Sequence, residues 1–130
     1  MDKRRTANFV AKYLVNPIVK RLAGYVPFWS LLETRGRKSG EPRRNPVGNG
    51  LIENTFWIVA EHGRGAQYVK NIMADPRVRV RVGRRWRTGL AHPLPEDDAR
   101  ARQRTLRRLN ALMVRTVGTD LMTVRIDLDP

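Results

Sequence analysis

Five cations crowd one short segment of this chain. Between Leu31 and Pro46 the sequence places Arg35, Arg37, Lys38, Arg43 and Arg44 around Gly36, Ser39, Gly40 and Pro42. Those last four favour turns for separate reasons: glycine reaches positive φ, proline fixes φ, and a serine hydroxyl bonds its own backbone. Like charges on one turn repel unless an anion sits among them. Successive backbone amides of a glycine-containing turn form an anion-binding concavity. The segment therefore reads as a cradle for phosphate or carboxylate, against the plainer reading of a solvated basic turn. It is not a P-loop, which needs glycine directly before the lysine and an earlier glycine, where this chain has Arg37 and Leu32.

Other chemistry is excluded by composition. The 130 residues contain no cysteine, which removes disulfides, thiol nucleophiles and Cys-based metal centres. His62 and His92 are the only histidines, too few for a multi-histidine metal site. A net charge of +14 speaks to partners rather than to fold. Nucleic acid, an anionic membrane surface and a polyanionic small molecule all fit it. Lys12 and Pro17 interrupt the first apolar run, so a signal peptide is not indicated. No stretch is apolar for long enough to span a bilayer as a helix. Absence of cysteine agrees with a cytoplasmic setting, with peripheral contact at the inner face of the plasma membrane as a further option.

The length fits one domain spanning residues 1–130. Residues 3–24 predict a basic amphipathic helix in two pieces, restarted at Asn16-Pro17, that either packs over the body or lies on anionic membrane through residues 3–22. Strands are predicted over 28–34 and 43–49, with Pro46 marking an edge or bulge. Thr55 to Ala60 is nearly all apolar, as a strand covered on both faces is. A polar turn, Glu61 to Gly65, leads to a helix over 66–74, which Asp75-Pro76 ends. Arg77 to Val82 alternates arginine and valine, the pattern of a half-buried strand. Its arginines read either as a nucleic-acid face or, preferably, as charge guarding a sheet edge. Arg85 to Ala91 returns as a hairpin. A helix is predicted from Pro95 to Gly118, with Leu106, Leu109, Leu112 and Met113 as its buried stripe. A last strand covers 121–128. Trp29, Trp57 and Trp86 are assigned to the core, His92 to a structural role. About six mostly antiparallel strands with N-terminal, middle and C-terminal helices make an α+β, mainly β chain. A Greek-key or split β-barrel suits it better than a parallel sheet.

Three stretches together resemble the deazaflavin-dependent nitroreductase family, the F-420-dependent quinone reductases. Thr34-Arg35-Gly36-Arg37-Lys38-Ser39-Gly40 with Arg43 and Asn45-Pro46 is similar to the family's G-R-K-[ST]-G-x-x-R segment. His62-Gly63-Arg64 with Tyr68-Val69-Lys70-Asn71-Ile72 is similar to its H-G-R…W-x-x-N-L segment. Ala74-Asp75-Pro76 runs into the arginine–valine strand as in its third. Order and spacing agree over roughly residues 25–95. The family's tryptophan is replaced by Tyr68, and Gly65 stands where relatives have a basic or aromatic residue.

The resemblance implies a split-barrel oxidoreductase that uses reduced coenzyme F-420, an 8-hydroxy-5-deazaflavin with a phosphate and an oligoglutamate tail. The hydride acceptor would be a quinone, a nitro-compound or an activated alkene. It places Arg37, Lys38, Ser39 and Arg43 at the phosphate and tail, with Asn45 and Pro46 behind them. Arg64 and the backbone of His62 and Gly63 would add a second loop. Tyr68 would pack near the deazaflavin and Asn71 would hydrogen-bond it. No protein nucleophile, metal or assigned catalytic residue is required. Tyr68, Tyr25 or solvent could supply a proton. Two other readings stand beside it: a split barrel holding FMN or haem, and a nucleic-acid-binding module. Five cations exceed what a single FMN phosphate needs. Phe56 and Trp57 lie in an apolar run rather than on a basic strand, which makes nucleic acid the weakest reading.

Overall fold

The structure is a computed structural model that describes residues 29–118 and 120–130, apart from the side chain of Arg64. The predicted N-terminal helix over 3–24, its membrane contact and Tyr25 lie outside the described residues.

Among the described residues, seven strands and two helices follow in order. They are β1 (Trp29–Arg35), β2 (Pro42–Gly48), β3 (Leu51–Ile52), β4 (Thr55–Ala60), α1 (Gln67–Ala74), β5 (Arg77–Val82), β6 (Arg85–Leu94), α2 (Ala99–Leu109) and β7 (Met122–Leu128). The strands form one sheet in the order β2-β1-β5-β6-β7-β4-β3, and every pairing is antiparallel. One buried cluster joins Val47 of β2, near one end of that order, to Phe56 of β4 near the other. The sheet therefore curls round a shared core as a half-barrel, in keeping with a split-barrel architecture. Leu32, Phe56, Val80, Val124 and Ile126 are fully buried there. Each such side chain contributes about 1.5–3 kcal/mol relative to exposure.

The apolar run of β4 has its cause in a second, smaller core. Phe56, Ile58 and Ala60 enter the main cluster. Val59, on the alternate face, packs with Ala99, Leu106 and Met113, and Trp57 packs against them. A helix on one face and the curled sheet on the other cover both sides, so alternation is lost.

Four expectations are corrected. First, β3 is a seventh strand of only two residues, too short to show a period. Second, α2 begins at Ala99 rather than near Pro95. The Asp98 carboxylate accepts the Ala101 amide at 3.1 Å as N-cap. The helix stops at Leu109 rather than near Gly118, because the Asn110 side chain donates to the carbonyls of Asn49 (3.1 Å) and Leu51 (3.0 Å). With the chain turned away, Leu109 and Leu112 are exposed, while Leu106 and Met113 are buried as predicted.

Third, β5 is an interior strand between β1 and β6, so its arginines guard no edge. Arg79 forms a two-pronged pair with Glu33 (2.8 and 2.9 Å), and Arg77 does so with Asp75. Fourth, the tryptophans are half-buried rather than core. Trp57 lies under the Arg102 guanidinium at 4.7 Å. Trp86 lies under those of Arg79 (4.7 Å), Arg44 (4.9 Å) and Arg81 (5.9 Å). Cation–π contact and the arginine stems cover rings that an apolar core would otherwise take.

Candidate functional site

The β1–β2 connection is a tight, internally bonded turn. Gly36 N donates to Glu41 O (2.8 Å) and Gly40 N to Gly36 O (2.7 Å). Gly40 has φ +75°, which favours glycine. Ser39 Oγ accepts the Glu41 amide at 3.2 Å and lies 3.5 Å from an Arg43 nitrogen.

The turn is held to α1 by one buried side chain. Asn71 Oδ1 accepts from Arg37 twice, from the guanidinium at 2.8 Å and from the backbone amide at 3.3 Å. Asn71 Nδ2 donates to Thr34 Oγ1 at 3.1 Å, and its second amide hydrogen has no acceptor among the described residues. Gln67, one helical turn earlier, accepts from Arg37 at 2.8 Å. Residues four apart share a helix face, so Gln67 and Asn71 present one polar edge to the turn. Val69 and Ile72 go to the core.

Turn, β2 and α1 together bound a groove of about 950 Å³. Arg37, Lys38, Ser39, Arg43, Asn45 and Asn71 all line it, with Arg44, Arg81 and Gln67. Among the described residues that line it, five are cations and none is a carboxylate. Strand register puts Arg43 and Asn45 on the face of Leu32, and Arg44 on the opposite face with Glu33. The groove thus wraps round β2, one of the two edge strands of the sheet among the described residues.

The cations differ in how far they are committed. Arg37 is tied to Gln67 and Asn71. Arg44 and Arg79 both grip Glu33, at 2.9 and 2.8 Å. The hydrogen bond from Arg79, with that from Arg44, holds the Glu33 carboxyl below its usual range against the opposing effect of burial. Arg35 turns from the groove to Asp75, at 4.0 Å. The expected convergence of five cations is corrected accordingly. Among the described residues Lys38 has no ion-pair or hydrogen-bond partner, and Arg43 reaches only Ser39.

Of the other residues implied by the resemblance, those described do not line this groove. Pro46 pairs with Leu31 in the sheet. His62 is exposed in the connection before α1. Gly63, at φ +51°, packs on Asp120, where a Cβ would meet the carboxylate at 2.9 Å. Tyr68 is half-buried against the main core. Burial, reinforced by the Glu61 charge, pushes its hydroxyl far up, so it stays a neutral phenol at physiological pH. The Arg64 side chain lies outside the described residues. Sequence reasoning missed Gln67, which helical spacing from Asn71 would have shown. It also missed Arg81, which was grouped with an edge row, and it placed Arg44 in the basic turn but not among the residues that the resemblance implies for the cofactor.

The chain matches the model of the family described as F-420H(2)-dependent quinone reductase over residues 2–129. It belongs to that family. It is an oxidoreductase that uses reduced coenzyme F-420, and membership decides for F-420 over FMN and haem. Among solved structures, an F-420 reductase is 19% identical, with 85% of this chain and 93% of that chain covered and a TM-score of 0.59. An F-420-H2 dependent reductase is 21% identical over 76% and 93%, with a TM-score of 0.55. General stress protein 26 from Bacillus anthracis is 16% identical over 85% and 86%, with a TM-score of 0.58. At these identities the likeness is one of fold. No curated protein matches the chain. No described helix of this family member is long and apolar enough to cross a membrane.

The donor set suits that cofactor. A phosphate and several carboxylates need cations that are uncommitted, held on a rigid turn and unopposed by acids. Lys38 and Arg43 meet those conditions, and the Asn71 tie supplies the rigidity.

Proposed function

We propose that the groove round β2 binds coenzyme F-420 by its phosphate and glutamate carboxylates, for reduction of a quinone. The observation that carries this reading is that, among the described residues, two uncommitted cations, Lys38 and Arg43, stand in a groove whose lining holds no carboxylate. Lys38 acts as a mobile point charge and Arg43 as a planar fork for an anionic oxygen pair. Arg37 keeps the turn in place while adding charge to the groove. Asn45 and the spare hydrogen of Asn71 are polar contacts on the same side as α1. Ser39 orients Arg43.

When bound, the reduced deazaflavin supplies a hydride. The protein's share is to hold the cofactor and limit water. No ionised side chain is needed to relay a proton, and the raised Tyr68 hydroxyl is held as a phenol. Quinone as acceptor follows from the family; nitro-compounds and activated alkenes are the other acceptors of the same hydride chemistry.

Titration with F-420 and with a truncated deazaflavin lacking phosphate and glutamates tests the reading. Intact F-420 should bind at least about tenfold more tightly, with affinity falling as salt rises. Equal affinities, insensitive to salt, would place the anionic end outside the groove.

A further inference from the structure

A second cationic cleft lies on other elements and shares no residue with the groove. Arg100, Arg104 and Arg107 fall at i, i+4 and i+7 along one stripe of α2, and Arg115 faces them from the segment after the helix. They bound a cleft of about 350 Å³ with Val117 and Gly118. The cleft is built rather than loose. Gln103 is buried, and its amide clamps Thr116 from both sides, accepting from N at 2.7 Å and donating to O at 3.0 Å. Arg100 donates to the Gly118 carbonyl at 2.8 Å.

The contrast with the rest of the molecule is informative. Arg44, Arg77, Arg79, Arg102 and Arg125 each have a carboxylate partner. Among the described residues Arg104, Arg107 and Arg115 have none, and no acid lines the cleft. Like charges four apart on a helix destabilise it. The nearby acids are used elsewhere: Asp97 takes Arg102 and Thr123, and Asp98 caps the helix. Glu61 reaches only the Gly118 side.

We propose that this cleft is a binding site for a phosphate group, with Arg104, Arg107 and Arg115 as its ligands and Gln103 as the clamp that sets their spacing. A dianionic phosphate accepts charge-assisted bonds from several guanidiniums at once and offsets their mutual repulsion. The group is carried either by a free phosphorylated molecule or by an anionic lipid headgroup. This inference does not depend on the cofactor groove.

The test is an amide NMR titration of the full chain with pyrophosphate, beside flotation on phosphatidylglycerol and phosphatidylcholine vesicles, for wild type and R104Q/R107Q. Both replaced side chains are exposed, so folding is retained; a separate R115Q variant checks the result from the other wall. Saturable shifts over residues 100–118, weakened about tenfold or more in both variants, support the site with a free phosphate as source. Flotation on phosphatidylglycerol alone, lost in both variants, supports it with a headgroup as source. Shifts that do not saturate, or that are equal in the variants, overturn it. So does binding of a single-stranded oligonucleotide, sensitive to both variants, where pyrophosphate and vesicles give nothing.

Discussion

The Asn71 carboxamide lies 2.8 Å from the Arg37 guanidinium and, through its other end, 3.1 Å from the Thr34 hydroxyl. One buried side chain on α1 thus joins the end of β1 to the basic turn, and the turn's cations inherit its rigidity.

Asn71→Ala removes those bonds, leaving Thr34 without that donor and Arg37 with Gln67 alone. Removing one side of a buried hydrogen bond costs about 1–3 kcal/mol. Urea unfolding should show a loss in that range, and F-420 affinity should fall although Lys38 and Arg43 are intact. Unchanged stability would show that the tie is not a determinant of the turn.

Glu33 is predicted to make stability depend on pH. Its folded pKa lies below the ordinary 4.5, chiefly through the Arg79 hydrogen bond. Its pairing therefore stabilises the fold fully above 4.5 and is lost as pH falls through the lower, folded value. Glu33→Gln leaves Arg44 and Arg79 without a counter-charge, and should cost about 1–3 kcal/mol at pH 7. Below pH 4.5 the variant's stability should change less steeply than that of wild type. Parallel curves from pH 7 to pH 3 in urea would contradict this role.

Gly50 marks a close backbone approach. A Cβ there would fall 1.8 Å from the Trp57 carbonyl oxygen, which no rotamer can relieve. Gly50→Ala should destabilise by about 3 kcal/mol or more. Gly40→Ala meets no atom within 4 Å and faces only its positive φ, a cost of about 1–2 kcal/mol. Thermal melts should rank the two in that order; a milder effect at Gly50 would mean that the β2–β3 connection can shift.

What the sequence carried and what it did not divide along physical lines. Strands β5 and β7 and helix α1 were legible from their regular periods, β4 from its unbroken apolar run, and β1, β2 and β6 from the turns that bound them. The turn chemistry of Gly36 to Pro42 was legible because it is local. The end of α2 was not, since Asn110 halts it by bonding carbonyls of Asn49 and Leu51, far away in the chain. The arginines of β5 misled for a similar reason. Glu33 and Trp86, which meet Arg79 and, for Trp86, Arg81, come from neighbouring strands, and alternation alone says which face the arginines share but not what stands there. In the site, residue types pointed to the turn, whereas the division into committed Arg37 and Arg44 and uncommitted Lys38 and Arg43 needed the tertiary contacts.

The most direct measurement is F-420 affinity, with quinone reduction by the reduced cofactor, for wild type, Lys38→Ala and Arg43→Ala. Each replacement should weaken binding about tenfold or more and raise the cofactor's KM, with kcat and melting temperature little changed. Undiminished affinity in both variants would contradict the assignment of the β2 groove as the seat of the cofactor's anionic end.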